Sequence, residues 1–158
     1  MAYDTKDIRN VVLLGHSGSG KTTFAETMLF ESGAIKRRGK VEDNSTISDY
    51  TNIEQERGNS IFSTLMHAKW KDSKINIIDT PGYDDFVGEV VSSLKVADLG
   101  IMLLNAKSGV EVGTELIWEY TEKYNTPTLF VVNQLDHDKA DFEATLEQAK
   151  ERFGANVL

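Results

Sequence analysis

The 158-residue sequence contains no cysteine, which removes disulfides, thiol catalysis and cysteine-ligated zinc together. It has no long apolar run. Unless glycine is counted, no run exceeds four residues, far short of the roughly 20 that a spanning helix needs. The opening Met-Ala-Tyr-Asp-Thr-Lys-Asp lacks the apolar segment of a signal peptide, and Ala2 stands where myristoylation requires glycine. Positive charge is not in excess: 17 Lys+Arg against 25 Asp+Glu leave a net charge of −8. That balance argues against bulk attraction to nucleic acid or to an anionic membrane. There is no internal repeat and no low-complexity segment. What remains, at 40% apolar residues, suits one globular core, and a chain of this size buries roughly 68–70% of its unfolded surface. These features predict a cytoplasmic domain with no membrane partner.

Charge is unevenly spread. Residues 1–79 carry 11 basic and 11 acidic side chains, whereas residues 80–158 carry 6 and 14. The acidic excess falls on stretches with helical period, as expected of solvated helix faces. The basic side chains cluster only at Lys36-Arg37-Arg38-Gly39-Lys40.

Short apolar runs alternate with helical periods, the pattern of a parallel α/β sheet. Strands are predicted at Ile8–Leu14, Ser60–Trp70, Lys74–Asp79, Leu99–Asn105 and Thr128–Asn133. Helical stretches are marked by Phe24, Met28 and Leu29 before a Gly33 cap, by Phe86–Leu94, by Ile117, Tyr120 and Tyr124, and by Phe142–Phe153 with Asp138 as N-cap. Between Gly33 and Asn59 neither period is evident, and an aperiodic loop of that length is a candidate functional segment. Asn156-Val157-Leu158 resembles the opening of a further strand.

Gly15-His16-Ser17-Gly18-Ser19-Gly20-Lys21-Thr22 satisfies Gly-x-x-x-x-Gly-Lys-Ser/Thr, directly after an apolar run and at the head of a helix. Glycines let successive N–H groups turn inward around an anion, and the helix N-terminus adds partial positive charge. Lys21 can meet the terminal phosphates of a nucleotide, the Thr22 hydroxyl can ligate Mg²⁺, and Thr23 continues the binding segment. His16 stands early in this loop and is read as structural; His67 and His137 have no evident catalytic partner.

A second element is Asp79-Thr80-Pro81-Gly82, closing an apolar strand. Ligands of open α/β sheets bind beyond the carboxyl ends of the strands, which suits Asp79 to a Mg²⁺ site and the Gly82 N–H to a γ-phosphate. The third is Asn133-Gln134-Leu135-Asp136, close to the Asn-Lys-x-Asp of guanine-nucleotide proteins. The Asp136 carboxylate can accept both N1–H and N2–H₂ of guanine, a pair that adenine lacks, and Asn133 can brace the loop. Ala106-Lys107 lies too early to be the later Ser-Ala-Lys base motif.

Together these residues resemble the nucleotide-binding domain of elongation factor G and its close relatives. Ile53-Glu-Gln-Glu-Arg-Gly-Asn-Ser-Ile61 is similar to that family's first switch, Glu-x-Glu-Arg-Gly-Ile-Thr-Ile, with Ser60 in place of the Mg²⁺-ligating threonine. The resemblance implies a three-layer P-loop NTPase fold, its sheet mostly parallel with one antiparallel strand and lacking the final strands. It implies that residues 1–158 are part of the GTP-binding domain of a larger translation factor. It further implies GTP/GDP and Mg²⁺ as cofactors, with the metal on Thr22, Ser60 and Asp79. The partner implied is the ribosome, through its large-subunit rRNA. Catalysis would involve Lys21, Gly82 and residue 83.

Three departures bear on catalysis and binding. Gly18 replaces an aspartate, Gln134 replaces the lysine of the base motif, and Tyr83 replaces the histidine that organises the attacking water. A phenol does not exchange protons near neutral pH as an imidazole does. Weak GTP hydrolysis is therefore expected. The alternatives are a GTP-binding switch with little hydrolysis and an ATP-using P-loop enzyme, the latter disfavoured by Asp136.

Overall fold

The computed structural model describes residues 3–154. Five strands form one sheet: β1 (Ile8–Leu14), β2 (Thr64–Trp70), β3 (Ser73–Asp79), β4 (Leu99–Asn105) and β5 (Thr128–Asn133). Their spatial order is β2-β3-β1-β4-β5. Only β2 runs antiparallel, paired with β3; the other neighbours are parallel. The helices are α1 (Lys21–Glu31), α2 (Asn52–Arg57), α3 (Val87–Leu94), α4 (Val112–Lys123) and α5 (Phe142–Phe153).

Strand periodicity divides the apolar residues between two faces. Val11, Leu13, Ile77, Ile101 and Leu103 pack with Ala25 and Leu29 of α1. Val12, Leu14, Ile78, Met102 and Leu104 pack against Val90 and Leu94 of α3, Ile117 of α4 and Ala149 of α5. Because both faces are covered, the central strands read as continuous apolar runs rather than alternating ones. Leu13, Leu14, Leu103 and Leu104 are all buried, each stabilising the fold by about 1.5–3 kcal/mol relative to exposure.

This winding sets the site. The connection leaving β1 leads to α1 on one face, and that leaving the adjacent β3 leads to α3 on the other. A crevice opens where those connections diverge, at the carboxyl ends of β1 and β3. Leu13 lies level with Asp79 across that pair, so the phosphate loop and Asp79 meet at its mouth.

Three predicted features are corrected. The strand expected from Ser60 begins only at Thr64. The N–H groups of Ile61 and Phe62 donate to Glu54 Oε1, and that of Ser63 to Glu89 Oε2, so none is free to enter the ladder. The stretch from Gly33 to Asn59 is not wholly aperiodic, because it contains α2. Six residues are too few to show a period, but Thr51 and Glu54 form a capping box and Gly58, at φ +65°, ends the helix. The N-cap of α5 is Asp141, whose Oδ1 accepts from the Ala144 N–H at 2.9 Å, and not Asp138, which lies one turn earlier. The strand suggested at residues 156–158 lies outside the described residues.

Candidate functional site

The phosphate loop enters α1 through Gly20, whose φ of +92° is left-handed; a Cβ there would come within 2.5 Å of Asn133 Nδ2. Glycine is required twice over, by backbone and by space. No side chain caps α1, so its first N–H groups face the loop, as in sites that accept anions. Lys21 folds back across that loop, donating to the carbonyls of Gly15 at 2.8 Å and His16 at 3.0 Å. Burial lowers its ammonium to a pKa of about 8, against the opposing pull of Asp79, Asp49 and Glu111. A buried cation held only by neutral carbonyls is a strong attractor for polyphosphate.

Asp79 is fully buried opposite it. Its Oδ2 accepts from Ser48 Oγ at 2.7 Å and Thr22 Oγ1 at 2.8 Å, while Oδ1 has no protein partner. Burial raises this carboxyl to a pKa of about 6, with both hydroxyls and Lys21 working the other way. Ser60 Oγ stands 3.4 Å from Thr22 Oγ1 and donates to Asp49 Oδ1 at 2.6 Å. Burial likewise raises Asp49, although the Ser60 hydrogen bond favours its charged form. The group is all hard oxygen: the hydroxyls of Thr22, Ser48 and Ser60, an unpartnered Asp79 oxygen and the Asp49 carboxylate. That donor set fits Mg²⁺. Among the described residues, no cluster of three or more His, Cys, Asp or Glu forms a metal cage, and Mg²⁺ characteristically completes its shell with water and phosphate.

The crevice holds a cleft of about 240 Å³. Ser17, Gly18, Gly20, Lys21, Thr22 and Thr23 line one side; Asp49, Ser60, Gly82 and Tyr83 close another, and Gln134 forms an end wall. Gly82 lies so near the loop that a Cβ would collide with Lys21 Nζ and sit 2.7 Å from the Ser17 backbone. Tyr83 is 45% exposed, at the cleft's open edge. Asp136 borders a neighbouring hollow with Gln134, His137 and Asp138. Asn133 stays behind the loop, donating to the Ser19 carbonyl at 2.9 Å.

Of the predicted binding residues, Gly15, His16, Ser19, Asp79, Asn133 and Asp136 are not among those lining the cleft. Gly15 packs against the Leu103 carbonyl. His16 faces α4, against Gly113 and 3.8 Å from Glu111.

Sequence reasoning missed two buried acids that shape the segment between α1 and β2. Glu26 accepts the Gly39 N–H at 2.9 Å and the Ile47 N–H at 2.5 Å, tying that segment to α1. Burial opposes the charge of Glu54, but hydrogen bonds from Thr51 and from the Ile61 and Phe62 N–H groups outweigh it and lower the pKa. Thr51-x-x-Glu54 is a readable capping signal. Glu26 has no comparable local signature.

A doubly wound, largely parallel sheet with a phosphate loop at its β1–β3 crevice defines a P-loop NTPase. The model of the elongation factor Tu GTP binding domain family matches residues 6–157. Elongation factor G of Carsonella ruddii is 42% identical over 98% of this chain and 23% of its own length. The mitochondrial ribosome-releasing factor 2 of Candida dubliniensis is 40% identical over 95% of this chain and 19% of its own. A crystal structure of a protein from Thermus thermophilus superposes with a TM-score of 0.89 at 38% identity, covering 93% of this chain and 22% of that one. The chain belongs to the elongation factor Tu GTP-binding-domain family, and within it is elongation factor G-like. It spans about a fifth of the length of these relatives.

Proposed function

We propose that the chain binds GTP and GDP with Mg²⁺ and is the nucleotide switch of a translation factor that works on the ribosome in the cytoplasm. The observation that carries this reading is Lys21, a buried ammonium with only carbonyl hydrogen-bond partners, at the same crevice as Asp79, whose buried Oδ1 has no partner. In this reading Lys21 meets the β- and γ-phosphates, and the N–H groups of the loop residues that line the cleft cradle them. Thr22, Ser60 and Asp79 hold Mg²⁺, which neutralises charge on the phosphate oxygens. Asp136 selects guanine. Gly82 offers its N–H to the γ-phosphate, and Ser60 reaches Mg²⁺ only in the GTP state, so loss of that phosphate loosens the segment from residue 36 to residue 59.

Two relatives, one named an elongation factor and one a ribosome-releasing factor, support a ribosomal partner, and contact with large-subunit rRNA goes with that role. Hydrolysis is slow in this reading because Tyr83 supplies a phenol where the attacking water needs an orienting imidazole, and Gly18 brings no carboxylate to hold a compensating cation. The test is turnover of GTP and ATP by the full-length protein, with and without ribosomes. GTP-selective binding with ribosome-stimulated turnover supports the reading. Equal use of ATP overturns it.

A further inference from the structure

Three hydrogen bonds connect the end of β4 to the phosphate loop by way of the segment after β5. The Lys107 N–H donates to Asn105 Oδ1 at 2.9 Å, Asn105 Nδ2 donates to Gln134 Oε1 at 3.0 Å, and Gln134 Nε2 donates to the Gly18 carbonyl at 2.8 Å. The first donor is a backbone N–H and the last acceptor a backbone carbonyl. Each can act in one sense only, so both amides between them have a single orientation. Gln134 adopts φ +61°, a left-handed conformation uncommon for its residue type. It lines both the phosphate cleft and the hollow beside Asp136.

We propose that Asn105 and Gln134 form a neutral amide relay that locks the base-side loop to the phosphate loop and slows nucleotide release. The proposal rests on the guanine-nucleotide reading of the cleft. Gln134 makes the short contact with the loop; Asn105 is a positioning residue that orients it and itself reaches the Gly18 carbonyl only at 3.5 Å. A carboxamide can rotate by half a turn and present oxygen instead of nitrogen, and oxygen facing the Gly18 carbonyl repels it. By occupying Oε1, Asn105 keeps the nitrogen on the carbonyl. A lysine needs no such partner, because every proton of its ammonium donates. The glutamine therefore requires the asparagine, and the relay holds the loops without adding charge beside the phosphates.

The test is release of a fluorescent GDP from the full-length protein, chased with unlabelled GDP. Gln134→Leu should release about tenfold faster, the effect of one lost interloop hydrogen bond. Gln134→Glu, nearly isosteric, should also release faster, because it turns a second acceptor toward Gly18. Asn105→Ala should accelerate release when Gln134 is present and add little to Gln134→Leu, because its own contact with Gly18 is long, at 3.5 Å. The pair Asn105→Asp with Gln134→Lys should restore slow release but make it sensitive to ionic strength, which the wild-type relay is not. Unchanged release in both Gln134 variants, or fully additive effects of Asn105→Ala and Gln134→Leu, overturns the relay. A wild-type protein that binds no guanine nucleotide instead overturns the reading on which the relay rests.

Discussion

Thr22 Oγ1 donates to Asp79 Oδ2 at 2.8 Å, joining the first turn of α1 to the last residue of β3 across 57 positions of sequence. The contact leaves Asp79 Oδ1 bare inside the protein. A buried carboxylate with one unsatisfied oxygen is costly unless something cationic completes it. The pair is therefore both a structural tie and a site primed for a cation, and it underlies the first prediction.

Stability of the nucleotide-free protein should depend on pH through Asp79. Its folded pKa of about 6 lies above the ordinary carboxylate value of 3.8, so between those values the native state holds more protons than the unfolded one. Stability from this group therefore falls as pH rises from 4 to 6, by on the order of 2–3 kcal/mol. Urea unfolding across this range should show a smaller decline in Asp79→Asn. An identical decline in both proteins refutes the assignment.

Lys21 gives the opposite titration. Burial lowers its pKa to about 8, and a bound polyphosphate restores the charge. Nucleotide binding above pH 8 should take up a proton, and affinity should weaken as pH rises further. Calorimetry in buffers of different ionisation enthalpy measures that uptake; its absence would separate Lys21 from the phosphates.

Glu26 should hold the segment between α1 and α2. Glu26→Ala leaves the Gly39 and Ile47 N–H groups without their carboxylate acceptor, at a cost of about 2–4 kcal/mol. Denaturant midpoints and faster amide exchange at those two positions are the measurements. Exchange that is slow and unchanged at both counts against the tie.

Base choice should follow Asp136. Asp136→Asn replaces a double acceptor with a group that also donates, so affinity should move from guanosine toward xanthosine nucleotides by on the order of 10²-fold or more. Competition binding with GTP, XTP and ATP measures this.

Catalysis should be limited at residue 83. Ribosome-stimulated turnover is expected to rise in Tyr83→His and to change little in Tyr83→Phe, because positioning of the water is what the phenol lacks. Fast wild-type turnover that collapses in Tyr83→Phe assigns the hydroxyl a catalytic part and ends this explanation.

The sequence by itself determined the sheet and the locations of the three nucleotide motifs. Ile8–Leu14, Leu99–Asn105 and Thr128–Asn133 form strands with the predicted bounds, each marked by four consecutive apolar residues, Val11–Leu14, Ile101–Leu104 and Leu129–Val132, flanked by polar residues or glycine. The phosphate loop was equally legible: its glycines, lysine and threonine are consecutive, and their geometry follows from one strand and one helix. Tertiary structure decided what depends on partners distant in the chain. Glu26 reads as one more helix glutamate until Gly39 and Ile47 fold over it. Asn105 reads as the polar end of a strand until Gln134, 29 residues on, arrives beside it. The shifts of Lys21 and Asp79 likewise arise from burial, which exists only once the two faces of the sheet are covered. Local periodicity and contiguous motifs are properties of neighbouring residues, whereas desolvation and hydrogen-bond direction belong to groups that only the folded chain brings together.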